Sequence, residues 1–306
     1  MNSEKGDFHS TCAKKIFQQR TSLEIPYDEK DFERLAFENL TSKVTLPGVQ
    51  AKLSLDLKSD TEKANSPKRF TIVNLVGNYI LKPASDLYPE LPEVEDLTMH
   101  LAELAKIKVV PHSLIRLKSG TLAYITKRID RVENRKLHME DMCQLTERLT
   151  EDKYNGSYEQ IAKAIKSYSA NSILDLMNYA EILLFSYLTG NADMHLKNFS
   201  LIDLPEIGYS LSPAYDLVAT KIVNPADDED LALTILGKKK KIKLEHFQEA
   251  FINFGLNKKQ IENIFKKMAS ALPIWQEFID ISFLSKDFKR SYQELLRRNV
   301  KKLQSI

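Results

Sequence analysis

Apolar and polar residues alternate between residues 49 and 57, which is the period of a β-strand with one buried face. A Pro47-Gly48 pair just before this stretch predicts a turn. The apolar side consists of Val49, Ala51, Leu53, Leu55 and Leu57, and the polar side of Gln50, Lys52, Ser54 and Asp56. The pattern therefore predicts a strand with a coherent polar row.

Further short strands are predicted before residue 130. Residues 70–74 and 78–82 are joined by a short connector with a Gly-Asn pair, and this spacing predicts a hairpin. Residues 113–117 and 122–128 flank a Ser-Gly turn, which predicts a second hairpin. With the strand at 49–57, these segments predict a small β-rich unit.

One helix is predicted within this β-rich part, at residues 92–104, where proline stands in the tolerated first turn. Its apolar residues recur at helical spacing: Val94, Leu97, Leu101 and Leu104. We expect this helix to pack on the small sheet. Residues up to about 41 are predicted to be a partly helical leader, most clearly at 31–38.

Beyond Asp130 the hydrophobic pattern becomes mainly helical. The predicted helical segments are 139–149, 158–168, 173–189 and everything from 244 onward, and the only strands expected there are 199–202 and 209–212. The chain is therefore predicted to be an α+β protein of two lobes. The smaller lobe, residues 1–127, is β-rich with one helix, and the larger lobe, residues 128–306, is mostly helical.

Composition narrows the functional classes. The chain has 306 residues, of which 43% are hydrophobic and 28% are charged, which is ordinary globular composition. No run approaches the roughly 18 apolar residues of a membrane span, and the first residues lack the apolar region of a signal peptide. We therefore expect a cytoplasmic protein with no membrane partner.

The net charge of +2 offers little general attraction for nucleic acid, and the lysine run at 238–241 is predicted to be a solvated turn. The two cysteines, Cys12 and Cys143, lie far apart without the spacing of a metal site or a disulfide framework. Both are predicted to be reduced packing residues.

Three polar residues predict phosphoryl-transfer chemistry. The spacing from Asp193 to Asn198 equals that in the catalytic loop of protein kinases, where Asp accepts the substrate hydroxyl proton and Asn binds magnesium. Asp216 would bind the same Mg²⁺, which prefers oxygen ligands. Lys197 is predicted to neutralise charge on the transferred phosphoryl group. A polar loop can also collect such residues merely because loops are solvated.

A lysine that holds ATP phosphates and a helix carboxylate that holds the lysine are also expected in such a protein. Lys82 ends an apolar strand, and Glu95 lies in the first turns of the helix that follows. This is the order found in a two-lobed protein-kinase-like fold. It turns the 190–198 loop into a candidate site between the lobes.

Several motifs in the same order resemble the HipA serine/threonine kinase toxins. They are LPGVQAK at 46–52, ILKP at 80–83, PEVE at 92–95, KRIDR at 127–131, EDMCQ at 140–144, GNADMHLKNFS at 190–200 and PAYD at 213–216. The resemblance runs from about residue 44 to the C-terminus. Long HipA proteins carry an additional subdomain in front, so the chain is more similar to HipT, the short kinase of three-part HipBST toxin–antitoxin systems.

The resemblance implies roles for individual residues. Asp193 would be the catalytic base, Asn198 and Asp216 would bind Mg²⁺, and Lys82 would contact ATP phosphates. The hinge that meets adenine would be formed by Arg128 and Ile129, although an aromatic residue is expected at the second position. The remaining nucleotide-binding residues would be Gly48, Val49, Gln50, Lys52, Glu95, Gln144, His195 and Tyr215. His195 could equally be a structural hydrogen-bonding residue.

HipA-like kinases silence themselves by phosphorylating a hydroxyl in or near the glycine-containing loop. Thr45 occupies the position of the HipA serine, whereas Ser54 shares the polar face of Lys52. A phosphate there adds roughly −1.5 to −2 charge and would compete with ATP for Lys52 and Lys82. Autophosphorylation is therefore expected at Ser54 or Thr45, with Ser54 favoured.

By resemblance, the protein substrate would be an aminoacyl-tRNA synthetase, and the partners a HipB-like helix-turn-helix antitoxin and a HipS-like small subdomain protein. DNA contact would be indirect. Two other functions stay open: a small-molecule kinase of the aminoglycoside or choline type, in which His usually precedes the Asp, and a catalytically silent antitoxin co-repressor. A secreted effector acting in a host cytosol is a further alternative to the cytoplasmic assignment.

Overall fold

A five-stranded antiparallel sheet and a set of helices are the main elements of the computed structural model, which describes residues 10–18, 23, 25–31, 34, 52–58, 69–73, 77–132 and 135–304. Thr45, Gly48, Val49 and Gln50 lie outside the described residues, as does most of the predicted leader helix at 31–38. The chain divides into two compact units. The first comprises Met1–Asp96 and Val110–Ile129, and the second Leu97–Val109 and Asp130–Ile306.

Among its described residues, the first unit contains one complete helix and the five-stranded sheet. The described elements are α1 (Ser10–Phe17), β1 (Leu53–Lys58), β2 (Arg69–Ile72), β3 (Tyr79–Lys82), β4 (His112–Arg116) and β5 (Leu122–Lys127). The strand order is β2-β1-β3-β5-β4, with every neighbouring pair antiparallel. The predicted β4–β5 hairpin is confirmed, with Ser113 opposite Ile125.

The predicted hairpin between 70–74 and 78–82 is wrong, because β2 and β3 lie on opposite sides of β1. The backbone around the connector is hydrogen-bonded to β1 instead. Val73 N–H donates to the Ser54 carbonyl at 2.9 Å, and Gly77 N–H donates to Ser54 Oγ at 3.0 Å. β1 thus satisfies hydrogen-bonding groups on both of its edges, which a hairpin of β2 with β3 would leave unpaired.

One face of this sheet is covered by α1. Strand alternation places Leu55, Leu81 and Ile125 in the same buried cluster as Phe17 of α1. Phe17, Phe70 and Tyr79 make edge contacts, and the Tyr79 hydroxyl donates to the Ile16 carbonyl at 3.2 Å. The same alternation turns Lys82 and its neighbour Tyr124 to the opposite face.

The predicted helix at 92–104 is confirmed as α2 (Leu91–Leu104). Its first turns, which include Glu95, belong to the first unit, and its remaining turns to the second. In the second unit, the indole Nε1–H of Trp275 donates to the Leu101 carbonyl at 2.8 Å. The second half of α2 is therefore a packed component of the helical unit.

The second unit is mostly helical. Its helices are α3 (Met142–Leu145), α4 (Tyr158–Tyr168), α5 (Ser172–Thr189), α6 (Thr220–Val223), α7 (Leu244–Phe254), α8 (Lys258–Ile281) and α9 (Lys286–Gln304), with 3₁₀ turns at Thr150–Asp152 and Leu196–Asn198. Its strands are β6 (Arg131–Val132), β7 (Arg135–Lys136), β8 (Met139–Asp141), β9 (Ser200–Leu204) and β10 (Gly208–Leu211). α5 is apolar on nearly all sides because it runs through the core of this unit.

The helix predicted at 139–149 is wrong for most of its length. Residues 139–141 form β8, which pairs with β9 so that Asp141 lies opposite Ser200. Asp141 then caps the one-turn helix α3, because its carboxylate accepts the Gln144 N–H. Strand pairing thus overrides a local helical pattern here. β6, β7 and β8 are also strands that the sequence analysis did not expect.

Among the described residues, no helix combines the length and apolar character needed to cross a lipid bilayer.

Candidate functional site

The 190–198 loop begins where α5 ends on a left-handed glycine. Gly190 has φ of 69° and donates its N–H to the carbonyls of the last turn of α5, which is a common helix C-cap. A Cβ at this position would lie 2.7 Å from Leu295 of α9. Both the backbone conformation and the close approach of α9 therefore favour glycine.

The start of the loop is fastened to α6. Ala192 N–H donates to Thr220 Oγ1 at 2.8 Å, and the Thr220 hydroxyl donates to the Gly190 carbonyl at 3.3 Å. Lys221 N–H donates to the same carbonyl at 3.1 Å. These contacts hold the backbone of the loop before its candidate functional side chains begin.

Asp193 and Asn198 are brought together by the backbone of Asp193. Its carbonyl accepts His195 N–H at 2.8 Å and Asn198 Nδ2–H at 2.9 Å, while its N–H donates to Asn191 Oδ1 at 3.2 Å. The side-chain amide of Asn198 is buried and its orientation is set by this bond. The loop is thus closed on itself, with the Asp193 carboxylate half-buried at its tip.

The Asp193 carboxylate has a partner that the sequence analysis did not identify. The Tyr154 hydroxyl donates to Asp193 Oδ1 at 2.5 Å. The Tyr154 ring lies edge-on to the His195 ring, with centroids 5.0 Å apart, and Lys153 Nζ lies 4.9 Å from the Tyr154 centroid. Burial, together with the hydrogen bond to Asp193, raises the pKa of Tyr154, so the hydroxyl keeps its proton at neutral pH.

Two buried polar atoms of the loop have no hydrogen-bond partner within the part of the chain that the structure describes. They are Asn191 Nδ2 and His195 Nδ1, in residues that are 1% and 6% exposed. Burial lowers the pKa of His195, and the neighbouring Asp193 carboxylate offsets part of this shift. Unsatisfied polar groups are costly in a folded core, so their presence beside Asp193 is typical of a functional site.

Lys197 and Gln144 meet at Asp141. Lys197 Nζ donates to Asp141 Oδ2 at 2.6 Å, while Asp141 Oδ1 accepts Gln144 N–H at 3.0 Å. The Gln144 side-chain oxygen accepts Asp141 N–H at 2.9 Å, which completes a capping box. The structure thus gives Lys197 a carboxylate partner and Gln144 a capping contact. Their predicted roles toward phosphate and nucleotide stay predictions.

Tyr215 and Asp216 follow β10. The Tyr215 hydroxyl donates to the Lys197 carbonyl at 3.0 Å and therefore accepts from Ser200 Oγ at 2.5 Å. Asp216 has φ of 55°, an uncommon left-handed conformation for a residue with a Cβ. Tyr215 thus fastens the segment that carries Asp216 to the end of the 190–198 loop.

The first unit places Lys82 and Glu95 together. Lys82 Nζ donates to Glu95 Oε1 at 2.5 Å, and the residues are 3% and 0% exposed. Lys82 Nζ also lies 5.3 Å from the centre of the Tyr124 ring on the adjacent strand. Removal of either residue would leave the other charge buried without this partner, which is strongly destabilising.

The remaining predicted residues occupy varied surroundings. Arg128 and Ile129 follow β5 and are half-buried, and Arg128 N–H donates to the Asn78 carbonyl at 2.8 Å. Lys52 is exposed, directly before β1. Ser54 is half-buried, and its Oγ accepts the Gly77 N–H already described.

The sequence analysis missed Tyr154, Asp141 and Asn191 as parts of this arrangement. Asp141 precedes Gln144 by three residues, which is the spacing of a capping box and was available as a signal. Asn191 lies two residues before Asp193, where an Asn side chain commonly accepts a backbone N–H. Tyr154 gave no local signal, because it lies 39 residues before its partner Asp193.

The model of the HipA-like C-terminal domain matches residues 44–275 of the chain. Two relatives carry the name "Putative kinase": one from Haemophilus influenzae is 31% identical over 64% of this chain, and one from Sinorhizobium fredii is 32% identical over 65%. The alignments cover 58% and 50% of those proteins, so the chain spans little more than half the length of the relatives it matches.

Two solved structures share the fold. One is a Shewanella oneidensis toxin–antitoxin complex of HipA, HipB and operator DNA, with a TM-score of 0.72 and 20% identity, covering 92% of this chain and 72% of that one. The other is the Helicobacter pylori proinflammatory kinase CtkA, with a TM-score of 0.54 and 14% identity, covering 74% of this chain and 87% of that one. The predicted α+β, kinase-like fold is thereby confirmed.

Proposed function

The chain belongs to the HipA-like family, matched over residues 44–275, and from this premise we propose that it is an ATP-dependent serine/threonine protein kinase, the toxin of a toxin–antitoxin system. It would transfer the γ-phosphate of ATP to a hydroxyl of another protein. The observation that carries the proposal is the closed 190–198 loop. In this loop, Asn198 Nδ2 donates to the Asp193 carbonyl at 2.9 Å and holds both residues in one turn.

In this turn, the side chains of Asn198 and Asp193 are proposed to have different roles. Because Nδ2 of Asn198 is engaged with the backbone, Oδ1 is the atom of that side chain left to offer a cation. The Asp193 carboxylate at the tip of the loop is the proposed acceptor for the proton of the substrate hydroxyl. A kinase needs a carboxylate within hydrogen-bond reach of the attacking hydroxyl, and a half-buried Asp fits that role.

The donor set also fits Mg²⁺. Asn198 offers an amide oxygen and Asp216 a carboxylate, which are the hard oxygen ligands that Mg²⁺ prefers, and one or two protein ligands suffice when phosphates supply others. A bound Mg²⁺ would neutralise charge on the phosphate oxygens of ATP. Lys197 would act on the same charge once it exchanges Asp141 for a phosphoryl oxygen.

Lys82 is proposed to hold ATP phosphate oxygens, with Glu95 as the residue that orients it. The 2.5 Å contact between them keeps the ammonium group in place on the sheet face opposite α1. Arg128 and Ile129 are proposed to contact adenine. Lys52, Gln144, His195 and Tyr215, together with Gly48, Val49 and Gln50, complete the proposed nucleotide-binding set.

The finer features of the proposal concern substrate, partners and self-modification. An aminoacyl-tRNA synthetase is the proposed substrate and a HipS-like small protein a proposed partner, both by resemblance. A HipB-like antitoxin is a proposed partner because a protein of the same fold has been solved with HipB and operator DNA. Autophosphorylation is proposed at Ser54, with Thr45 as the second position. A phosphate on Ser54 Oγ would add bulk and negative charge at the atom that accepts the Gly77 N–H, where β1 meets its neighbouring turn.

The test is incubation of purified chain with γ-labelled ATP, Mg²⁺ and cell lysate, followed by identification of labelled proteins. We expect one predominant labelled protein with the wild type and none with Asp193→Asn or Lys82→Met. Lys163→Met, at an exposed position on α4, is the matched lysine control and should label normally. Peptide mapping of the chain itself tests Ser54 and Thr45.

The absence of labelling by a folded wild-type chain across several lysates would contradict the kinase proposal. Labelling that survives Asp193→Asn would contradict the role of Asp193. Phosphate found only on nucleotides or small metabolites would favour the small-molecule kinase alternative.

A further inference from the structure

The segment from Lys153 to Tyr158 contacts the 190–198 loop at several successive points. Leu196 N–H donates to the Lys153 carbonyl at 3.1 Å, and the Tyr158 hydroxyl donates to the Met194 carbonyl at 3.1 Å. A Cβ on Gly156 would lie 3.2 Å from the Leu196 side chain, so this side chain packs directly against the backbone of Gly156. This segment, which we call the 153–158 brace, therefore supports the loop along most of its length.

Tyr154 is the member of the brace that reaches the Asp193 side chain. Its hydroxyl lies 2.5 Å from Asp193 Oδ1, and its ring centroid lies 5.0 Å from that of His195 and 4.9 Å from Lys153 Nζ. These contacts restrict the rotamers that the ring can adopt while its hydroxyl donates to the carboxylate. It is nevertheless 41% exposed, unlike the fully buried Tyr158.

The hydrogen bond has a consequence for the second carboxylate oxygen. A carboxylate rotates freely about its terminal bond unless an oxygen is held. With Oδ1 engaged by Tyr154, rotation of the carboxylate is restricted, and Oδ2 is the oxygen left to face an incoming hydroxyl. Rate acceleration by a base depends on such alignment, since small misplacements of a reacting group can reduce rates by about 100-fold.

We propose that Tyr154 is a positioning residue for phosphoryl transfer: through its hydroxyl it fixes the Asp193 carboxylate so that Oδ2 receives the proton of the substrate hydroxyl. Tyr154 itself neither gains nor loses a proton in this step. The inference rests on the proposed function, because it requires Asp193 to act as the base.

The test compares Tyr154→Phe with Tyr209→Phe. Each change deletes one hydroxyl and keeps the ring. Tyr209, which lies on β10, is a matched control. It is 37% exposed, and its hydroxyl is hydrogen-bonded to His138 Nδ1 at 2.8 Å. With γ-labelled ATP, Mg²⁺ and the protein acceptor identified in lysate, we expect Tyr154→Phe to lower kcat by about 10- to 100-fold. KM for ATP should change by less than about twofold, and Tyr209→Phe should match the wild type.

A second measurement needs no activity. Urea unfolding midpoints are determined for wild type, Tyr154→Phe, Asp193→Ala and the double variant. If the hydroxyl acts through Asp193, the midpoint shift caused by Tyr154→Phe should largely disappear in the Asp193→Ala background.

Additive midpoint shifts would overturn the contact on which the proposal depends. Coupled midpoints with an unchanged or increased kcat for Tyr154→Phe would overturn the positioning role alone. A wild-type chain without phosphoryl transfer would overturn the proposed function and this role with it, while the midpoint cycle would still report whether the contact exists.

Discussion

The 190–198 loop and the 227–241 segment, both in the second unit, are rich in charged and polar residues. They differ in whether those side chains have partners within the protein. In the 227–241 segment, acidic side chains form ion pairs with lysines of the same segment or of neighbouring helices. The ion pairs are Lys240–Asp228 at 2.5 Å, Lys239–Glu229 at 3.4 Å, and Asp230 with Lys221 and Lys302 at 3.2 Å each. In the 190–198 loop, by contrast, Asn191 Nδ2 and His195 Nδ1 are buried without partners among the described residues.

The comparison teaches that the density of charge along a chain does not mark a functional site. The lysine run at 238–241 was predicted to be a solvated turn, and in the structure Lys239 and Lys240 are paired with the acidic residues that precede them. Its backbone is paired as well, because Asp230 N–H donates to the Lys239 carbonyl at 2.9 Å. Charged groups that are already engaged in ion pairs have little left to offer a ligand. The 190–198 loop, by contrast, has polar atoms that are available to hydrogen-bond a ligand.

The strongest test of this difference is the same substitution placed in each region. Asp193→Asn keeps the size of the side chain and its ability to accept the Tyr154 hydroxyl, but it removes the proposed base. We expect phosphoryl transfer to fall by at least about 100-fold, because general-base contributions are of this order. The urea midpoint should change little. The test is to measure initial rates with γ-labelled ATP together with the urea midpoint. A large loss of stability would contradict the assignment of Asp193 as a functional rather than a structural residue.

Asp230→Asn should show the reverse pattern. Asp230 is buried, pairs with Lys221 and Lys302, and accepts Ile242 N–H at 3.2 Å. Removing the charge should lower the free energy of unfolding by about 1.5–3 kcal/mol, the range for hydrogen bonds to charged groups. The phosphoryl-transfer rate at a temperature well below the transition should stay within about twofold of the wild type. A large loss of rate with unchanged stability would remove the distinction between the regions.

The difference in stability between the wild type and Asp230→Asn should become smaller at acidic pH. Burial acts to raise the pKa of Asp230, but Ile242 N–H and the ammonium groups of Lys221 and Lys302 outweigh it and lower the pKa below its ordinary value. A carboxyl with a lowered folded pKa adds stability above its unfolded pKa and loses it as the pH falls through the folded value. The gap between wild type and Asp230→Asn should therefore narrow below about pH 4. Urea midpoints across about pH 3 to 7 test this, and a gap that widens in acid would contradict it.

The smallest effect is expected at Lys240. Its pair with Asp228 is exposed to solvent, where Coulomb attraction is screened and such pairs contribute little. Lys240→Gln should leave both the urea midpoint and the phosphoryl-transfer rate indistinguishable from the wild type. A clear loss of labelling of one protein partner in this variant would instead indicate that the 227–241 segment binds that partner.

The comparison also explains where sequence reasoning succeeded and failed. The strand pattern at 49–57 correctly predicted β1 over its described part, and the helices at 92–104, 158–168 and 173–189 are confirmed with bounds within one residue. The predictions that failed concerned pairing between segments that are distant along the chain. β2 and β3 flank β1 instead of pairing with each other, and 139–141 pairs with β9 instead of beginning a helix. In each case the deciding hydrogen bonds join residues that local periodicity does not relate.

In the candidate site, too, local sequence features were predictable and contacts between distant segments were not. Asp193, Asn198 and Asp216 were predicted from spacing, and Lys82 and Glu95 from their order, and their roles stay predictions. In the structure Lys82 Nζ donates to Glu95, and Asn198 Nδ2 donates to the Asp193 carbonyl. Tyr154 was not predictable, and Lys197 was predicted without its carboxylate partner, which lies 56 residues earlier in the chain.

The amino-acid sequence by itself determined the periods of the strands and helices, the family, and the residue types of the 190–198 loop, because these depend on neighbours along the chain. Tertiary structure alone decided which charges are neutralised, which strand is central in the sheet, and which hydroxyl holds Asp193. Those outcomes depend on burial and on contacts between distant segments. A polar side chain acquires a functional or a structural role only when packing has set its solvent exposure and its partners.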